Sequence, residues 1–209
     1  MYLYKSVFEY GKAEYVVEKS RFIAHATPAG SYEEAKAFVA EIKEEYRDAT
    51  HNVPALITGD KQEIQWASDD GEPGGTSGLP VLKMIAGEGL TNLAVVITRY
   101  FGGIKLGTGG LSRAYTAAAR LGLDAAGRCE VYRSALMRYE FDYTYLSRLQ
   151  NMESEGKFVI TDPEYSDVVR ASIKCLAEQA DDIKGIMTNI SGGRARLLSE
   201  EQGIMRVRL

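Results

Sequence analysis

Two stretches of this sequence bring together residue types that do chemistry. The first is Ser68-Asp69-Asp70-Gly71-Glu72-Pro73-Gly74-Gly75-Thr76-Ser77-Gly78-Leu79-Pro80. Asp69, Asp70 and Glu72 put three carboxylates within four residues, ahead of glycines that tolerate positive φ. Such a cluster could hold a hard cation such as Mg²⁺, or pair with arginines. Thr76 and Ser77 add two hydroxyls. A solvated turn accounts for the same composition more simply. The second stretch is TRYFGGIKLGTGGLSRAY, residues 98–115. It follows a predicted strand and opens a predicted helix. Gly102, Gly103, Gly107, Gly109 and Gly110 lie in it, with Arg99, Lys105 and Arg113 and no acid between 99 and 113. A helix start with unpaired N–H groups, glycine backbone and nearby cations suits a phosphate or carboxylate. Tyr100 and Thr108 complete this candidate set. A tight strand-to-helix connection would need the same glycines for packing alone.

Several familiar chemistries are absent. There is no GxxxxGK[ST] phosphate loop, and Gly107-Thr108-Gly109 lacks the third glycine of a dinucleotide fingerprint. Gly75-Thr76-Ser77-Gly78 is not a nucleophile elbow. His25 and His51 are the only histidines. Neither stands in HExxH or near a cysteine, so no resident metal is assigned. His51, next to Asn52 at a predicted strand entry, is a secondary candidate as a base, and Arg21 is another.

The elements that must position these residues follow from periodicity. Val7-Phe8, Tyr15–Val17 and Phe22–Ala26 are β-prone, with a turn expected at Gly11-Lys12. Ser31 reads as a helix N-cap with Glu34 completing a capping box, and the helix is predicted over 32–47 with Ala35, Phe38, Val39, Ile42 and Tyr46 on one face. Val53–Thr58 and Glu63–Ala67 flank a Gly59-Asp60 turn. Leu79–Ala86 suits a short helix, Leu93–Arg99 a buried strand, and 109–126 a helix. Composition shifts near 127–133, which sets predicted domains of 1–130 and 131–209. In the second, strand 135–143, helix 145–155, strand 157–161 ending at Asp162-Pro163, strand 168–175, helix 176–190 and strands 195–198 and 204–209 give the split βαβ order. The fold class is α+β. Arg194, Arg196, Arg206 and Arg208 lie near the end without interleaved aromatics, which fits a solvated strand face better than an RNA surface.

Composition bounds the rest. The 209 residues are 45% hydrophobic and 26% charged, with a formal net charge of −4. That supports packed cores and disfavours charge-driven nucleic-acid binding. Two cysteines far apart, no signal-like start and no long apolar run point to a soluble cytoplasmic protein, taken as a monomer.

The segments Lys19–Ala24, His51-Asn52, Ser68–Pro80 and Thr98–Tyr115 together resemble the signature of the YigZ/IMPACT family. The likeness implies a first domain like the second domain of a small-subunit ribosomal protein, expected as a two-layer βαβ sandwich. It implies a ferredoxin-like second domain similar to the last domain of elongation factor G. Eukaryotic members resemble translation regulators, and the family brings no agreed catalytic residues. Gly74 departs from the serine common there, which removes one hydroxyl. The implied function is a non-enzymatic binding protein linked to translation, whose partner is the ribosome, RNA or a translation-related protein. The alternatives are an enzyme for a phosphorylated or carboxylate substrate with Mg²⁺ at the acidic loop, and protein docking through the second domain's sheet.

Overall fold

The computed structural model describes residues 1–209, and its chain order is β1 (Tyr2–Val7), β2 (Gly11–Val17), β3 (Ser20–Pro28), α1 (Tyr32–Glu45), β4 (His51–Thr58), β5 (Ile64–Ala67), α2 (Gly78–Gly87), β6 (Leu93–Tyr100), α3 (Gly107–Ala126), β7 (Arg128–Phe141), α4 (Leu146–Ser154), β8 (Val159–Tyr165), β9 (Val169–Leu176), α5 (Ala180–Ser191) and β10 (Arg196–Arg208). The fold is α+β. It divides into two compact units, Tyr4–Glu130 with Val207–Leu209, and Val131–Arg206 with Met1–Leu3. No helix is long and apolar enough to cross a membrane.

The first unit is built on an antiparallel sheet of order β2-β3-β6-β4-β5. Strands β3, β6 and β4 are apolar on both faces. Phe22, Ala24, Val53, Ala55, Val95 and Ile97 pack on one side with Val81 and Ile85 of α2 and Leu111, Tyr115 and Ala118 of α3. Leu56, Ala94 and Val96 pack on the other side against Ala35, Val39 and Ile42 of α1. Helices therefore cover both faces, and the expected two-layer arrangement becomes three layers. The unbroken run Leu93–Ile97 carries that signal, because a strand wet on one face would alternate. Ser31 Oγ accepts from Glu34 N at 3.1 Å as expected of the cap. The Glu34 carboxylate, however, reaches the N–H of Gly30 rather than that of Ser31.

The turn expected at Gly11-Lys12 lies instead at Glu18-Lys19, both at positive φ, joining β2 to β3. Gly11 is inside β2, where a side chain would strike the backbone of Ala126.

In the second unit the strands order as β10-β7-β9-β8, which is the split βαβ arrangement. Ala135, Met137, Tyr139 and Phe141 face Leu149 of α4 and Ile183 and Met187 of α5 in a separate core. Asp162-Pro163 does not end the strand. It forms an irregularity within β8, between Thr161 and Glu164. The two expected terminal strands are one continuous β10.

Candidate functional site

The site grows from the end of the central strand β6. Inward alternation along Val95 and Ile97 continues to Arg99, so this cation is 4% exposed. Its register neighbours are Phe22 on β3 and His51 on β4. A guanidinium in that position needs a carboxylate. Glu72 supplies one, with Arg99 Nη1 donating to Oε1 at 2.5 Å. Arg99 Nη2 reaches Ser20 Oγ at 3.3 Å, and the guanidinium lies 5.3 Å from the ring centres of both Phe22 and Phe101. Tyr115 donates to the same Glu72 oxygen at 2.7 Å. Burial, and then that hydrogen bond, push the Tyr115 phenol far up, so it stays a donor.

The rest of the acidic loop is also engaged. Asp69 Oδ1 accepts from Ser77 N, Ser77 Oγ and Gly78 N at 3.0, 2.6 and 2.9 Å, and Oδ2 from Gly75 N at 2.6 Å. It thereby caps α2 from outside the helix, since the Ser77 side chain makes no cap of its own. Burial pushes the Asp69 carboxyl up, but the bonds from Ser77, Gly75 and Gly78 outweigh it and hold it below the usual range. Asp70 accepts from Asn52 N at 2.6 Å and pairs with Lys43 at 2.5 Å. Thr76 Oγ1 donates to Pro73 O at 2.6 Å. The three carboxylates thus hold separate parts of the loop, and no group of three His, Cys, Asp or Glu side chains is placed for a metal ion. Both oxygens of Asp69 and Asp70 and Oε1 of Glu72 are engaged by N–H and O–H donors. Gly74 meets open space, so a serine there would fit.

The basic loop behaves otherwise. Gly102 packs where a side chain would fall 2.0 Å from the carbonyl carbon of Lys19, and its N–H donates to Ser20 Oγ at 3.2 Å. Gly103 and Gly107 take positive φ. Helix α3 starts at Gly107, two residues before the expected Gly109, with Leu106 at its cap and no side chain bonded there. Lys105 and Arg113 are exposed and make no ion pair.

The two loops converge on a pocket of about 410 Å³, with Glu72 and Pro73 from one, Arg99, Phe101, Lys105, Leu106, Gly107, Thr108 and Leu111 from the other, and Thr50 and His51 from the entry to β4. His51 Nδ1 lies 2.7 Å from the carbonyl oxygen of Asp70 and so must carry the proton. Its Nε2 sits 3.8 Å from Glu72 Oε1. Gly110 and Arg113 line a neighbouring depression instead, which Lys105 and Leu106 share. Tyr100 donates to Asp48 at 3.1 Å, and Arg21 pairs with Glu14; neither reaches the pocket. Sequence reasoning missed Phe101, Pro73, Leu106, Leu111 and Thr50 as pocket walls. Phe101, apolar within a glycine-rich loop, is the one with a visible signal. It also missed Tyr115 as a partner of Glu72, although a tyrosine on a buried helix face needs an acceptor for its hydroxyl.

The four segments that carry the sequence resemblance interlock here. Ser20 holds Arg99 and Gly102, Asn52 binds Asp70 and accepts from Thr98 at 2.6 Å, and Ser112 donates to Thr76 O at 3.0 Å. This interlocked unit matches the Impact N-terminal domain over residues 18–123, and the second unit matches a domain of unknown function, DUF1949, over residues 140–194. The chain belongs to the IMPACT family. It is 37% identical over 201 residues to the IMPACT family member YvyE of Bacillus subtilis, covering 96% of this chain and 93% of that protein. A solved structure described as that of a hypothetical protein is 29% identical, with a TM-score of 0.60 over 95% of this chain and 98% of that one. The two-domain translational regulator Yih1 is 27% identical, with a TM-score of 0.35 over 57% of this chain and 48% of that one.

Proposed function

We propose that this protein acts by binding, as a regulator linked to translation, and that the pocket between the two glycine-rich loops is the face that engages its partner. Family membership supports the link to translation, since Yih1 is a translational regulator. The observation that carries the choice of face is a contrast in charge. Beneath the pocket Glu72 bonds both Arg99 and Tyr115, leaving only the Arg99 Nε without a partner, whereas Lys105 at the rim has no acidic partner and Phe101 is left 45% exposed. A floor tied by an ion pair gives rigidity, and an unpaired cation at the rim gives attraction. Turnover chemistry has less support, because Asp69 is bonded within the loop, Asp70 to Asn52 and Lys43, and Glu72 to Arg99 and Tyr115.

The test is sedimentation of the purified protein with ribosomes and with a translation extract across a salt series. Salt-sensitive association that falls in Phe101→Ser and Lys105→Glu variants is expected. Absence of association at low salt, or equal association by both variants, would reject the reading.

A further inference from the structure

We propose that the pocket and the depression beside it form one docking surface for an acidic peptide segment of a partner protein, anchored by apolar side chains. This rests on the binding role proposed above and specifies the partner's chemistry. The pocket walls are largely carbon, from Pro73, Phe101, Leu106 and Leu111. The neighbouring depression, of about 500 Å³, has Tyr15, Val17, Ile104 and Ala114 in its walls. Both share Lys105 and Leu106, which therefore stand between the two hollows. Phe101 in the wall of the first and Ile104 in that of the second are 45% and 39% exposed. Large apolar groups left in water, beside one largely carbon-walled pocket and one mixed, charged depression, mark a surface that another chain covers.

Charge selects the occupant. Arg99 is neutralised by Glu72 and contributes little field outside. Lys105 and Arg113 are exposed and unpaired, and Glu18 is the single acid lining either hollow apart from Glu72. The depression with Lys105 and Arg113 therefore favours an acidic chain, and the carbon-walled pocket favours an aliphatic or aromatic side chain flanked by those acids. RNA is the weaker fit. It requires a denser row of cations and several stacking aromatics, whereas this surface offers two unpaired cations and little exposed ring area on a protein of net charge −4.

The experiment follows backbone amide shifts of the full-length protein on titration with synthetic peptides of about twelve residues, long enough when extended to cross both hollows. Four probes are compared: an acidic peptide with two leucines, the same peptide with alanines, a basic peptide with the two leucines, and a uridine oligomer. The acidic leucine peptide is expected to bind and to shift residues 101–114. Binding should weaken about tenfold in a Lys105→Glu/Arg113→Glu double variant, and severalfold in Phe101→Ser. Equal binding by the alanine peptide or by the uridine oligomer would overturn the proposal, leaving an anion surface. Equal binding by the basic peptide, or none by the acidic leucine peptide up to about 1 mM, would also overturn it. If ribosome association nevertheless persists and depends on Phe101, the partner-binding role stands and only the acidic-peptide assignment falls.

Discussion

The acidic loop 68–80 and the basic loop 98–113 have similar lengths and glycine content, and opposite fates. In the acidic loop every carboxylate turns back on the chain, Asp69 onto α2, Asp70 onto β4 and α1, and Glu72 onto Arg99. In the basic loop only Arg99 does so, while Lys105 and Arg113 stay in water. A carboxylate is short and finds several backbone N–H groups within one turn. Lys105, past the end of β6, and Arg113, in the second turn of α3, have long stems that carry their charges into water. The lesson is that charge clusters of opposite sign can meet at a single pair, Glu72 with Arg99, and otherwise differ in role. The acidic one organises the backbone, and the remaining cations are the ones proposed above to meet a partner.

The comparison breaks most readily at Glu72. Glu72→Ala leaves the Arg99 guanidinium buried without a partner and is expected to cost about 3–5 kcal/mol in chemical denaturation. A loss below about 1 kcal/mol would show that the acidic loop is not structural. Replacing Glu72 and Arg99 together by methionine should recover much of that loss.

Acid titration separates the loop from an unrelated buried group. His25 is fully buried, with Nδ1 2.9 Å from Tyr10 Oη, its ring 5.0 Å from that of Tyr46, and Lys12 and Glu45 nearby. Burial, and then Lys12, lower its pKa from 6.5 to about 4, while Glu45 opposes them. The neutral ring is thus the native form. Its contribution is fully present above pH 6.5 and is lost as pH falls toward 4, on the order of 3 kcal/mol in all. A His25→Phe variant should flatten stability between those limits.

Asp69→Ala should cost about 1–2 kcal/mol through the lost cap of α2. Because the Asp69 carboxyl is held below its ordinary value of 3.8, the wild-type contribution persists through the His25 window and disappears only as pH falls through that lowered value. Loss of the Asp69 contribution already at pH 5 would contradict the hydrogen-bonding described. At the small end, Lys105→Ala and Arg113→Ala should change stability by no more than about 0.5 kcal/mol. A larger loss in thermal or chemical melts would mean that these cations hold the fold, and the contrast between the loops would dissolve.

Much of this was legible in the sequence where local signals agree. Ser31 and the Ala35, Val39, Ile42 stripe defined α1, and the run Leu93–Ile97 defined β6. The alternation in 135–141 defined β7. The inward turn of Arg99 was legible too, since it continues the odd-numbered face of Val95 and Ile97, but charge drew attention outward. The pairing of Arg99 with Glu72 was not legible, because it joins positions far apart in sequence through tertiary packing. The start of α3 at Gly107 was hidden for a similar reason, as glycine is a poor helix former and packing overrides its propensity. The Glu18-Lys19 turn lacks the Asn-Gly residues that mark such hairpins, whereas Gly11, whose bare Cα serves a close approach to α3, mimicked one.

Strand β8 lies at an open edge of its sheet, and its pairing is interrupted between Thr161 and Glu164, where Asp162 takes positive φ beside Pro163. Such an interruption spoils the flat hydrogen-bonding rim that two copies of a chain would need to zip together. Straightening it with residues that favour extended backbone would leave the packing within one chain almost untouched. The consequence would surface instead in the concentrated solution, as self-association and loss of solubility.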